Sequence, residues 1–360
     1  MSVRTRFASA SLHLFEAAGE LVPLPKSLRE QQQALQFVRT LQGYQGAAAI
    51  GAASELGLFP YLIQPRSLQD ISEEFGMPEP AARVLLDALS SAGILLQDRD
   101  GRWAMTGPAS KQLLREGWSA VREMINFMLG TWNYWCELPE VLKGNEGHPT
   151  LKVYNPANPL MAEYVRMTTA MLAGPSRELV RSMDLSQVRR MICGTVGISF
   201  AAAVTQANPE TELVVSCLPR LIAELPAALK QFKVREPVEI IENSGDAEED
   251  KWGTSESYDL VFLARKFAYC GPQHGIDYLK KSMKVLSPGG YVVLWEPFAD
   301  NYELVPWMAT NIALVDAMLG EPQPLWKTTD VATFAEDAGY QVEIHNVARG
   351  STSFVVARRP

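Results

Sequence analysis

The residues best equipped for chemistry stand at the ends of apolar runs. Glu296 follows Tyr291-Val292-Val293-Leu294-Trp295, which reads as a strand, so its carboxyl projects from the strand's carboxyl end into the cleft there. An apolar setting raises a carboxyl's pKa and makes it an acid/base near neutral pH; the bland alternative is a carboxylate that caps a loop. A second run, Tyr258–Leu263, precedes Arg265-Lys266-Phe267-Ala268-Tyr269-Cys270, which supplies two cations and a phenol able to polarise a substrate. His274 comes shortly after, where a solvated loop histidine is the commoner role. Glu296, Arg265, Tyr269 and His274 are therefore the candidate catalytic residues. A third run leads through Cys193-Gly194-Thr195-Val196-Gly197-Ile198 into Ala201-Ala202-Ala203-Val204. A strand ending in a glycine turn that opens a helix presents backbone N–H groups at the carboxyl edge of a sheet, where ligands bind. Gly194 and Gly197 suit that turn, whereas the bulk of Ile192, Val196 and Ile198 obstructs close approach of a ligand to the backbone. Cys217 ends the next apolar run and Asp246 follows Gly245, so both belong to the same carboxyl edge.

These residues need a sheet to hold them in common. Val188–Ile192, Glu212–Ser216, Val238–Ile241, Tyr258–Leu263, Gly290–Trp295, Gln341–Asn346 and Ser353–Ala357 are apolar or β-branched and alternate with helical stretches and Pro-Gly turns. Right-handed crossovers then give a mostly parallel α/β sheet with helices on both faces. A nucleotide-like ligand would lie across its strand ends, near residues 192–198, 217 and 246.

The N-terminal third has a different period. Leu35, Val38, Leu41, Ala48 and Leu56 recur at helical spacing over 31–58; Ser67 and Asp70 start a helix that Gly76 stops; a further helix spans 80–92, and Asp98-Arg99-Asp100-Gly101 turns a hairpin. That is the outline of a winged helix. Its second helix offers Arg83 as its one base, too few for phosphates and base edges, so the apolar stripes are expected to pack against a second copy. Pro23 and Pro25 set residues 1–30 apart as an extension. Between the two regions, 112–180 reads as a helical connector in which Phe127, Met128, Trp132, Trp135, Met167 and Met171 suit an adaptable apolar substrate pocket, joined by Trp307, Met308 and Asn311.

Composition sets bounds on partners. A net charge of -8 with no basic stripe argues against nucleic acid and anionic membrane surfaces. Four scattered cysteines (Cys136, Cys193, Cys217, Cys270) lack metal-ligand spacing and read as reduced, cytoplasmic thiols, with no metal site. No apolar run approaches the ~20 residues that span a bilayer.

The order of several short motifs carries a resemblance over roughly residues 35–357. They are Ala48-Ala49-Ile50-Gly51-Ala52-Ala53-Ser54-Glu55-Leu56-Gly57-Leu58-Phe59, Leu85-Leu86-Asp87-Ala88-Leu89, Met105-Thr106, Asp184-Leu185-Ser186, Asn208-Pro209-Glu210, Gly245-Asp246, Tyr258-Asp259-Leu260-Val261 and Leu286-Ser287-Pro288-Gly289-Gly290. In these the chain resembles the plant-caffeate and bacterial-polyketide O-methyltransferases. The resemblance implies an N-terminal winged-helix dimerisation domain (31–111), a substrate-capping connector (112–180) and a C-terminal Rossmann-like class I methyltransferase domain (181–360). It also implies a homodimer, S-adenosylmethionine (SAM) as cofactor and a small apolar or aromatic acceptor. Carried across by position, the family's first-strand acid falls on Ile192, its ribose-binding acid on Cys217 and its adenine-side residue on Asp246. Its catalytic histidine falls on Ala268 and the two supporting glutamates on Glu296 and Thr328. A carboxylate accepts two hydrogen bonds from a ribose diol and a thiol does not replace it. Three readings therefore stand: a methyltransferase of natural products, a non-methylating cyclase, pericyclase, isomerase or lyase on the same scaffold, and a noncatalytic subunit of a heterodimer.

Overall fold

Ser67 and Asp70 form the helix start that their spacing predicts. The Ser67 hydroxyl accepts the Asp70 N–H at 3.1 Å, the Asp70 carboxylate accepts the Ser67 N–H at 3.0 Å, and Gly76 ends the helix at φ 60°. This helix belongs to a computed structural model that describes residues 26–360 apart from 115, 116, 145, 236, 303–305, 349 and 350 and the side chains of 26–29, 32 and 301–310. The extension expected over 1–30 therefore falls mostly outside the described residues. The chain divides once, between Glu116 and Gly117, so residues 117–180 form one unit with the sheet.

The first unit contains α1 (Lys26–Glu55), α2 (Leu58–Tyr61), α3 (Leu68–Phe75), α4 (Glu79–Ser91), the antiparallel hairpin β1 (Leu95–Gln97) and β2 (Trp103–Met105), and α5 (Gly107–Leu113). Asp98 fixes the hairpin turn by accepting the N–H groups of Asp100 and Arg102, each at 2.9 Å. Ile71, Leu86, Leu89 and Trp103 are buried, while Leu35, Phe37, Leu41 and Tyr44 on α1 are exposed.

The second unit opens with α6 (Ala120–Thr131), a 3-10 turn, α7 (Leu138–Gly144) and the long α8 (Met161–Ser182). There follow β3 (Arg190–Gly194), α9 (Ile198–Ala207), β4 (Glu212–Cys217), α10 (Leu225–Phe232), β5 (Val238–Glu242), β6 (Tyr258–Ala264), α11 (Gly271–Val285) and β7 (Leu286–Trp295). The unit ends with α12 (Pro306–Leu319), α13 (Thr328–Asp337), β8 (Gln341–Val347) and β9 (Thr352–Arg358). The sheet order is β5-β4-β3-β6-β7-β9-β8, with β5 to β7 parallel and the last two strands antiparallel. Parallel strands covered on both faces read as continuous apolar runs, and Leu260, Val261, Phe262, Val292, Val293 and Leu294 are accordingly buried. Among the described residues no helix is long and apolar enough to cross a membrane.

Candidate active site at the carboxyl edge of the sheet

At the ends of β6 and β7 the buried surface changes from apolar to charged. Arg265 follows β6 at φ 61°, a left-handed conformation that costs a non-glycine residue roughly 1 kcal/mol or more. The guanidinium forms an ion pair with Asp316 of α12, lies 4.0 Å from Glu296, and donates from Nε to the Tyr269 hydroxyl at 2.9 Å and the Tyr164 hydroxyl at 3.0 Å. The two phenols also bond to each other. Arg265, Glu296, Asp316, Tyr164 and Tyr269 are all buried. Burial pushes the Glu296 carboxyl up to about 7, against the downward pull of Arg265 and of the Phe267 N–H, which donates to Oε1 at 3.1 Å. Burial raises Asp316 too, again opposed by Arg265. Glu296 Oε2 and Asp316 Oδ2 are buried without a hydrogen-bond partner. Glu296 lines a cavity of about 40 Å³ with Met171, Leu172, Pro175 and Trp295. A carboxyl raised into this range can give or take a proton near neutral pH, and its Oε2, 4.0 Å from the Arg265 guanidinium, accepts no hydrogen bond.

A larger cavity, about 90 Å³, lies across the ends of β3, β4 and β6. Gly194, Thr195, Val196 and Gly197 line one part of it, Tyr164 and Val165 of α8 another, and Arg265, Lys266, Trp252 and Tyr154 also line it. A Cβ at Gly197 would stand 2.6 Å from the Phe262 ring, whereas at Gly194 the nearest atom would be 3.9 Å away. Gly197 thus serves helix–strand packing. Tyr154 closes another side: its ring packs on Gly245, where a Cβ would fall 2.3 Å from it, and its hydroxyl meets His274 Nε2 at 3.2 Å. Arg220 holds this segment in place by donating to the carbonyls of Val153 and Asn155.

The residues present do not fit SAM. Its sulfonium and ammonium are cations, yet no carboxylate lines the cavity, while Arg265 and Lys266 do. Ile192 is buried and apolar at the expected first-strand acid. At the expected ribose acid, burial raises the Cys217 thiol and keeps it neutral, and its sulfur accepts the Thr195 hydroxyl at 3.5 Å. Asp246 is exposed and accepts the N–H groups of Glu248 and Glu249 at 2.6 and 3.2 Å, capping its own turn.

The structure brings Glu296, Arg265 and Tyr269 together and places His274 behind Tyr154, where burial and then Lys266 lower it to about 4 and leave it neutral. Gly194 and Gly197 line the larger cavity; Cys217 and Asp246 do not. Of the proposed pocket residues, Met171 lines the smaller cavity, and Phe127 is buried with its ring 5.7 Å from that of Tyr164. Trp132, Trp135 and Met167 are half-buried, the Trp135 indole donating to the Thr131 hydroxyl at 3.2 Å. Met128, one step around α6 from Phe127, is exposed, as is Asn311 on α12, so neither is brought to a cavity. The side chains of Trp307 and Met308 lie outside the described residues. Asp316, Tyr154 and Trp252 joined the site unannounced by sequence. Asp316 carried a signal, a lone acid in the apolar stretch Ile312-Ala313-Leu314-Val315-Asp316-Ala317-Met318-Leu319.

No family model matches the chain. It is 25% identical over 283 residues to the L-tyrosine C(3)-methyltransferase of Streptomyces lavendulae, covering 71% of this chain and 73% of the relative. It is 20% identical over 336 residues to the tetracenomycin polyketide synthesis 8-O-methyl transferase of Streptomyces glaucescens, covering 90% and 96%. Human N-acetylserotonin methyltransferase, solved in complex with SAM, superposes with a TM-score of 0.72 at 18% identity over 94% of this chain and 99% of that one. At that identity the likeness establishes the fold.

Proposed function

From the premise that this chain is a relative of SAM-dependent methyltransferases and has the O-methyltransferase fold, we propose that it is a natural-product tailoring enzyme that works by proton transfer without SAM. The observation that carries this reading is the buried Glu296 carboxyl, raised to about 7, with one unpartnered oxygen at a cavity. Arg265 and the paired phenols of Tyr164 and Tyr269 stand beside it, suited to hold negative charge that develops on a substrate oxygen. The reaction class is rearrangement, cyclisation or elimination of an apolar or aromatic substrate, with no gain in mass on isomerisation. A second copy covering the exposed apolar residues of α1 forms part of the proposal.

Methyl transfer remains the second reading, favoured by the activities named for the two Streptomyces relatives. Titration calorimetry of the full chain with SAM separates the two. The proposal expects no binding heat up to millimolar SAM; a micromolar Kd, about -8 kcal/mol, would sink it and restore methyl transfer.

A further inference from the structure

Lys266 stands apart from the charged cluster next to it. Arg265 is matched by Asp316 and two phenols, whereas the Lys266 ammonium has no ion pair or hydrogen-bond partner among the described residues and rests on the Tyr278 ring, 3.8 Å from its centroid. Trp252 packs on the same tyrosine, at a ring-centroid distance of 5.4 Å; it is 4% exposed and its indole N–H is buried without an acceptor. Both residues line the larger cavity. The Asp250 carboxylate acts on Lys266 through its charge but is engaged elsewhere: it accepts the Tyr278 hydroxyl at 2.8 Å and the Ser244 N–H at 2.7 Å. The cavity thus holds a lysine without an ion pair or hydrogen bond and a donor without an acceptor, and no carboxylate lines it. A buried donor left without an acceptor destabilises the fold, and a ligand oxygen can relieve that cost. Met161, Val165, Ile192, Leu218 and Phe262 give the cavity an apolar wall, and Thr195, Ser216 and Asn243 also line it.

We infer that this cavity binds a small aromatic carboxylic acid as its anion, with the carboxylate between Lys266 and the Trp252 indole and the ring against the apolar wall. The inference rests on the reading above that SAM is not the ligand. An acid of this kind meets each unsatisfied group with a charge-assisted bond and brings none of the positive charge of SAM. The cavity's volume of about 90 Å³ also favours a one-ring ligand over a nucleoside.

Calorimetry at pH 7 on the full chain tests this with 4-hydroxybenzoate against 4-hydroxybenzyl alcohol, its neutral counterpart, and with SAM in a parallel titration. The wild type should bind the acid at least tenfold more tightly than the alcohol. Lys266→Met should abolish that preference, Lys266→Arg should keep it, and Trp252→Phe should reduce it severalfold. Equal binding of acid and alcohol, no binding of either, or a preference that survives in a folded Lys266→Met protein would each overturn the inference. If Lys266→Met does not fold, the acid/alcohol ratio in the wild type and in Trp252→Phe decides. Failure of the acid with SAM also silent would remove only this inference, whereas micromolar SAM binding would remove the function proposed above.

Discussion

In the middle of β6 and β7, Leu260 faces Tyr291, Val261 faces Val292 and Phe262 faces Val293, with all but Tyr291 buried and apolar. Past the ends of the same strands stand Arg265 and Glu296, equally buried and ionisable. The first region is stabilised by removing apolar surface from water and needs only side chains of the right shape. The second works against that gain, because each buried charge must be compensated by a partner. Arg265 supplies that charge for Asp316 and, at 4.0 Å, for Glu296, yet Glu296 Oε2 and Asp316 Oδ2 accept no hydrogen bond. A sheet that can be filled entirely with valine and leucine retains such groups at one edge at a cost in stability, which is what a site for chemistry requires. Under the function proposed above, the contrast is also how a scaffold shared with methyltransferases would accommodate a different site: packing in the middle is independent of charge at the edge.

The comparison breaks most sharply at Arg265. Arg265→Met should remove the partner of Asp316 and cost about 3–5 kcal/mol in urea unfolding, because it leaves buried carboxylates uncompensated. The double variant Arg265→Met/Asp316→Leu should recover most of that loss, since it turns the edge into more of the middle. A single variant that costs under about 1 kcal/mol would mean that the cluster is hydrated and not a buried edge at all.

Glu296 sharpens the comparison through pH. Its carboxyl is raised in the folded state from an ordinary 4.5 to about 7, so the folded chain holds a proton that the unfolded chain has released. Its contribution to stability is therefore fully present below pH 4.5 and is lost as pH rises through about 7. The wild type should lose up to about 3 kcal/mol from this group between pH 4.5 and 8. Glu296→Gln should flatten that slope, leaving the variant more stable than wild type at pH 8, and should lower turnover about 10²–10⁴-fold on any substrate found. Parallel pH–stability curves for the two proteins would show that the carboxyl is ionised and solvated in the fold.

Sequence made the middle of the sheet legible and only half of the edge. The β-branched runs placed the strands to within a few residues, because burial on both faces of a parallel sheet leaves a contiguous apolar record. Glu296, Arg265 and Tyr269 could be read because each follows such a run and so shares the edge. Asp316, Tyr154 and Trp252 arrive from α12 and from long loops, and no local period encodes a contact across more than a hundred residues, such as Tyr154 with His274. Gly197 meets two conditions that sequence does not separate: the Phe262 ring leaves no room for a Cβ there, and the residue also lines the larger cavity.

The smallest expected effect concerns the segment that carries Tyr154 over the larger cavity. Three sets of contacts hold it: Val153 N–H to the Leu319 carbonyl at 2.8 Å, Tyr154 to His274 at 3.2 Å, and Arg220 to the carbonyls of Val153 and Asn155. Arg220 is partly desolvated, which lowers its pKa, and its Nε is buried without a partner, so its net contribution is less than two charge-assisted bonds in isolation. Arg220→Met keeps the apolar stem and removes the donors, and should cost about 1–2 kcal/mol globally. The local effect should exceed the global one, because the segment contributes little to the middle of the sheet. Amide exchange should therefore accelerate over residues 150–158 while the amides of β6 and β7 exchange as in the wild type. Equal acceleration in the strands would show that edge and middle unfold together, and the separation drawn between them would then hold for chemistry but not for stability.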